Sequence, residues 1–207
     1  MPSRSRSVVF IALTIAIMAV SAWITISLGP IPFTLQMFAL TFAIVVLEPK
    51  ECLCAVAGYL VLGAIGVPVF SSMRGGIGVL MGPTGGFLWG YFFGAAAAVL
   101  LLWVYRKAAG QTALTAARQA ADSLEEGNLS AAQKAVAFAK AFGMEVLAGV
   151  LFTAVAYLCG WLQYQVVASA TPEQAFLVCI APFIFVDACK IVAAVVVANA
   201  VKKAVGR

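Results

Sequence analysis

Long apolar runs, broken by short polar or turn-rich stretches, make up most of this chain. Six such runs, residues 8–28, 33–47, 52–67, 86–105, 142–167 and 182–201, approach the length needed to cross a membrane. A hydrocarbon core of ~30 Å takes about 20 apolar residues of helix. The pattern therefore predicts an all-α integral membrane protein, with six transmembrane helices in a single bundle over residues 1–207. The second and third runs are short, which fits tilted or partly re-entrant segments. Pro30 and Pro32 separate the first two runs, and Glu48-Pro49-Lys50-Glu51 makes the next turn. The first run follows Arg4 and Arg6, as a signal peptide would. It exceeds the usual length of a signal's apolar region and is read as a span.

Between the third and fourth runs lies a different kind of sequence. From Pro68 to Gly86 there are six glycines, two prolines and one arginine. Irregular backbone cannot face lipid, because each unpaired N–H or C=O there costs several kcal/mol. The loop must cap the bundle or line a cavity. Glycines tolerate unusual dihedrals and close approach, so Gly75, Gly76, Gly82 and Gly85, with Thr84, are candidate ligand contacts. Residues 106–141 form the one hydrophilic stretch, expected as a helical cytoplasmic connector broken at Gly127-Asn128, with Ser130 capping its second piece.

Composition sharpens this picture. The chain of 207 residues is 64% hydrophobic and 10% charged, and its mean hydropathy is +1.05. A soluble domain carries about a quarter charged residues. Histidine is absent, which removes the commonest metal ligand and the usual general base. Cys52 and Cys54 form C-x-C, not a paired C-x-x-C zinc pattern, and the cysteines read as small apolar residues. No metal and no cofactor is expected. No Walker A motif occurs, and Met81 stands where a dinucleotide fingerprint needs its third glycine. Any uphill work must draw on another chain or an ion gradient.

The net charge of +5 reflects topology rather than nucleic acid. With the N-terminus in the cytoplasm, Arg4, Arg6, Lys50, Arg106, Lys107, Arg118, Lys134, Lys140, Lys202, Lys203 and Arg207 all lie inside, and only Arg74 outside. The positive-inside rule then puts both termini in the cytoplasm and the glycine-rich loop on the outer face.

Lys190 is the remaining basic residue, and it sits with Asp187 inside the last span. Each such charge costs ~2.5–3.5 kcal/mol at a span's centre. Three apart, they share one helix face. Pro182 suits a first helical turn, which places Asp187 ~7.5 Å and Lys190 ~12 Å along the axis, under the loop. A self-satisfied ion pair is one reading. The other is a ligand with both N–H donors and a carbonyl: a urea-like group, an amide or a zwitterion.

Further polar candidates are Thr34 and Gln36 at the start of the second span, and Tyr59. Arg74 could attract an anion at the mouth or simply meet lipid and water. Trp161 and Tyr164 read as an interface belt. Ala12, Ala16 and Ala19 give the first span a small-residue face, and Gly86, Gly90, Gly94 and Ala98 do so more strongly for the fourth. One of these faces is expected to pack internally and the other to serve a partner.

Five segments resemble the BioY family, the biotin-specific S components of energy-coupling-factor vitamin transporters. They are PIPFTLQ (30–36), YLVLGAIGVPVF (59–70), GGIGVLMGPTGGFLWGY (75–91), AYLCGW (156–161) and PFIFVDACK (182–190). The resemblance implies a multi-pass protein of the bacterial plasma membrane that binds biotin near the outer face and mediates its uptake. It implies that Asp187 accepts the ureido N–H groups and Lys190 donates to the ureido oxygen. Loop amides or Arg74 are candidates for the ligand carboxylate, although the segment SSMR around Arg74 departs from the family pattern. Implied partners are a transmembrane coupling protein, met by the alanine face of the first helix, and two cytoplasmic ATPases. The connector is longer than the family usually shows. A homo-oligomer, an S component for another vitamin and an intramembrane enzyme are the other readings. For an enzyme the spans offer only Asp187 and Glu145 as acids, with no serine or histidine beside Asp187.

Overall fold

The structure is a computed structural model that describes residues 4–26, 29–108 and 131–205. Most of the 106–141 connector, including Gly127-Asn128 and Ser130, lies outside the described residues. Along the chain come α1 (Arg4–Trp23), β1 (Thr25–Ile26), β2 (Phe33–Thr34), α2 (Gln36–Val46) and α3 (Pro49–Ala64). A 3-10 turn (Ser71–Met73) and α4 (Ile77–Leu80) follow, then α5 (Gly85–Ala108), α6 (Ala131–Ala168), α7 (Pro172–Cys179) and α8 (Ile184–Val205).

Among the described residues four helices are long and apolar enough to cross a membrane; they lie in α1, α5, α6 and α8. α2 is apolar but has 11 residues, or ~16 Å at 1.5 Å per residue. Nine of those residues are buried. A helix apolar all round belongs inside a bundle, and α2 packs chiefly on α8 and α1. α3 begins sharply: Glu48 and Glu51 form a capping box and Pro49 occupies the first position.

Among the described residues the most extensive helix contact is α5 on α6, and glycine explains it. A methyl carbon on Gly86, Gly90 or Gly94 would lie 2.3, 2.6 or 2.7 Å from backbone atoms of Cys159, Ala156 and Phe152 respectively. The order of contacts makes the pair antiparallel. The glycine face is therefore internal. Gly90→Ala is expected to destabilise the fold by ~1–3 kcal/mol, the usual cost of overpacking, read as a lower melting temperature in detergent.

The structure corrects three boundaries. The first helix ends at Trp23, not at residue 28, because its last carbonyls are taken from outside. The Leu35 N–H reaches Ser21 O (3.1 Å), and Thr25 Oγ1 donates to Ala22 O. Thr25 and Ile26 instead pair antiparallel with Thr34 and Phe33, so Phe33 and Thr34 are strand and the second helix starts at Gln36. Pro182 lies in a turn closed by Phe183 N–H on Ile180 O (3.0 Å), so α8 starts at Ile184 and Asp187 falls in its first turn.

Candidate functional site

The 29–36 segment, the glycine-rich loop, α5, α6 and α8 meet around a cavity whose polar wall is Thr34, Gln36, Tyr157, Asp187 and Lys190. Phe70, Phe87, Tyr91 and Phe183 add aromatic walls, and Ser71 and Thr84 line it from the loop. Phe33 stacks on Phe183 with centroids 4.2 Å apart, which fixes one aromatic wall to the β-ribbon.

Asp187 is 2% exposed. Its position in the first turn of α8 sets the carboxylate in the positive end of the helix dipole, which favours the anion. One oxygen accepts from Lys190 Nζ at 2.7 Å, and the other accepts the Tyr157 hydroxyl at 2.7 Å. Lys190 also donates to Thr34 O at 2.9 Å. The ion pair is thus not closed on itself. An ammonium has three donors and a carboxylate about four acceptor sites. Among the described residues, one N–H of Lys190 and two lone pairs of Asp187 stay uncommitted. That set matches a small group with one carbonyl oxygen and two N–H donors.

A second network backs Gln36. Gln36 Nε2 donates to Tyr59 Oη at 2.6 Å, and Tyr59 donates in turn to Val69 O at 2.8 Å. Tyr59 is fully buried and supports the cavity from behind, through Gln36 and through an edge contact with Phe70 at 5.5 Å between ring centroids. Trp23 Nε1 donates to Pro68 O at 2.8 Å, so the end of α1 and the middle of α3 both hold the loop that carries Phe70 and Ser71. Tyr59→Phe removes both hydrogen bonds of the hydroxyl and is expected to loosen this loop and weaken ligand binding about tenfold, at ~0.5–1.5 kcal/mol for each net hydrogen bond. Equilibrium binding with a melting curve checks it.

Of the expected ligand contacts, Asp187, Lys190, Thr34, Gln36 and Thr84 line the cavity together. Gly75, Gly76, Gly82 and Gly85 build the loop around it. Gly76 has φ of 96° and donates to Gly63 O at 2.6 Å. Gly75 is pressed on Val67 O, and Gly85 on Leu80 O. Gly82 O accepts Gln163 Nε2 at 2.9 Å, and the same amide reaches Leu80 O at 2.8 Å. Arg74 is exposed, and its Nε donates to Ser71 O at 3.3 Å. Ala12 and Ala16 are exposed on α1, whereas Ala19 is 6% exposed and sits in the core.

Tyr164 is a correction: it is buried in the core instead of facing an interface, because it lies on the inward side of α6. Trp161 Nε1 donates to Pro172 O (3.0 Å) and ties α6 to α7. Sequence reasoning missed two side chains of this candidate site, Tyr157 in the cavity wall and Gln163, which holds the loop. Glu145 is paired with Lys202 at 2.7 Å and with Asn199, away from the cavity. Among the described residues no acidic, cysteine or histidine group is arranged to hold a metal.

The whole chain, residues 1–207, matches the model of the BioY family. A biotin transporter BioY of Thermotoga maritima is 52% identical over 80 residues, 39% of this chain and 47% of that protein. The biotin transporter BioY2 of Lactococcus lactis is 45% identical over 86 residues, 42% of this chain and 47% of its own. The chain thus spans about half the length of the curated relatives it matches. The crystal structure of an S-component for biotin from an ECF-type ABC transporter superposes with a TM-score of 0.74 at 20% identity, over 98% of this chain and 95% of that one. At that identity the likeness concerns the fold.

Proposed function

The chain belongs to the BioY family, and from that premise we propose that it is a biotin-binding membrane subunit that mediates biotin uptake. The observation that carries this reading is the open polar cluster. Asp187 and Lys190 form a buried pair that is bonded outward to Tyr157 and Thr34, at the wall of a largely aromatic cavity. The ureido ring of biotin offers two N–H donors and one carbonyl oxygen. Asp187 accepts the first and Lys190 donates to the second. The apolar walls enclose the thiophane ring and side chain, as small-molecule sites usually do. A ligand without the ureido group leaves buried charges unmatched and is rejected. The chemistry is binding and transport, not catalysis.

In this reading α2 and α3 are the short second and third members of a six-span bundle in the bacterial plasma membrane. Both termini are cytoplasmic, as eleven basic residues against one indicate, and the cavity opens near the outer face. The exposed Ala12 and Ala16 support docking of α1 on a transmembrane coupling protein that works with two cytoplasmic ATPases. Ala16→Leu is accordingly expected to leave biotin binding intact while reducing uptake in cells that carry those partners. Unchanged uptake would remove α1 as the docking face.

Binding of radiolabelled biotin to the purified protein tests the proposal. Saturable binding with one ligand per chain is expected, as is biotin in the mass spectrum of protein purified without added ligand. Recovery of thiamine or riboflavin instead would move the chain to another vitamin.

A further inference from the structure

A second groove lies at the other end of the bundle, between the α2–α3 turn and the last turns of α5. Its floor is Leu47, Val99 and Leu102, its flank is Trp103, and Glu48 and Arg106 line it. The three floor residues are buried, whereas Trp103 is half exposed. Lys107 Nζ sits 5.1 Å above the Trp103 ring and steadies the indole. Neither Glu48 nor Arg106 forms an ion pair among the described residues. The Glu48 carboxylate is held at the rim by the capping box, where it accepts the N–H of Glu51.

The level of this groove in the bilayer follows from its neighbours. The same end holds Arg6 on Val205 O, Ser7 on Glu51 and Lys202 on Glu145. Such a concentration of charge belongs at the headgroup layer, because hydrocarbon excludes it. A half-exposed tryptophan suits that layer as well.

We propose that this groove binds one phospholipid with a zwitterionic aminophospholipid headgroup. Two charges of opposite sign, without an ion partner among the described residues, over an apolar floor are complementary to that molecule. Arg106 presents a planar fork of donors to the phosphate. Glu48 accepts from the ammonium. Leu47, Leu102 and Trp103 receive the glycerol and the first methylenes. A purely anionic lipid satisfies Arg106 but meets the Glu48 carboxylate, so it binds more weakly. The inference does not depend on the identity of the transported ligand.

The test is native mass spectrometry of the full chain titrated with phosphatidylethanolamine or phosphatidylglycerol, with melting temperature and biotin binding measured alongside. The native chain is expected to retain one phosphatidylethanolamine, with phosphatidylglycerol held about tenfold more weakly. Arg106→Gln should abolish retention of both. Glu48→Gln should bring the two lipids to equal affinity, and biotin binding should persist in both variants. Equal affinity for the two lipids in the native chain overturns the proposal. So does undiminished retention by a folded Arg106→Gln variant, or occupation of the groove by a protein partner with no lipid present.

Discussion

Asp187→Asn is expected to weaken biotin binding tenfold or more while leaving the bundle folded. The amide keeps the shape of the carboxylate, and it can still accept from Tyr157 or Lys190. What it loses is charge. Hydrogen bonds to a charged group are worth ~1.5–3 kcal/mol, and 1.4 kcal/mol is a factor of ten in affinity. One amide edge also becomes a donor, so it opposes a ligand N–H instead of receiving it. Isothermal titration of the purified variant reads the affinity and a melting curve reads the fold. Unchanged affinity in a folded Asp187→Asn protein would remove the residue from the site.

The larger effect is expected from replacing the pair together. Lys190→Met alone leaves the Asp187 carboxylate with Tyr157 as its one side-chain partner among the described residues, and an unmatched buried charge costs ~3–5 kcal/mol. Asp187→Leu with Lys190→Met removes both charges at similar volume. Such exchanges of a buried pair for apolar residues are often neutral or stabilising. The exchange also takes the partners of the Tyr157 hydroxyl and of Thr34 O, at ~1–3 kcal/mol for each group left buried and unsatisfied. The double variant should therefore still fold without ligand and melt only modestly lower than the native chain; failure to fold would mark the pair as structural. Its affinity for biotin should fall about 100-fold or more, because two charged hydrogen bonds vanish and nothing replaces them. A double variant that is stable and still binds biotin would show the pair to be incidental to recognition.

The charges in α8 were visible in the sequence because hydrocarbon makes any ionisable residue conspicuous. Their real setting was less so. The spacing put Asp187 and Lys190 on one face, but Asp187 lies in the first turn of α8 and not farther along, since the Ile180–Phe183 turn uses up Pro182. Tyr157 was hidden for a physical reason. It is an ordinary aromatic in an apolar helix, and its role appears only when α6 and α8 bring residues 30 apart in the chain within a hydrogen bond. The small-residue rule marked the face of α5 that carries Gly86, Gly90 and Gly94, while its packing on α6 came from the structure. It was less informative for α1, where Ala12 and Ala16 face outward while Ala19 is buried.

Short elements were the least legible. The pairing of Thr25 and Ile26 with Thr34 and Phe33 reads in the sequence as the frayed ends of two spans, because β-branched residues suit either setting. α7 left a signal that could have been used: Thr171 and Gln174 form a capping box with Pro172 at the first helical position. The glycine-rich loop was recognisable as irregular backbone at the site. Which of its residues face the cavity depended on contacts that sequence spacing does not encode, such as the hold of Gln163 on Leu80 and Gly82.

In the proposed function, a buried carboxylate and ammonium are kept in the span because a ureido group completes their hydrogen bonds. Equilibrium binding to the native protein, comparing biotin with an analogue methylated on both ureido nitrogens, tests it most directly. The account predicts saturable binding of biotin and a loss of about 100-fold or more for the methylated analogue. Equal affinity for the two ligands would contradict it.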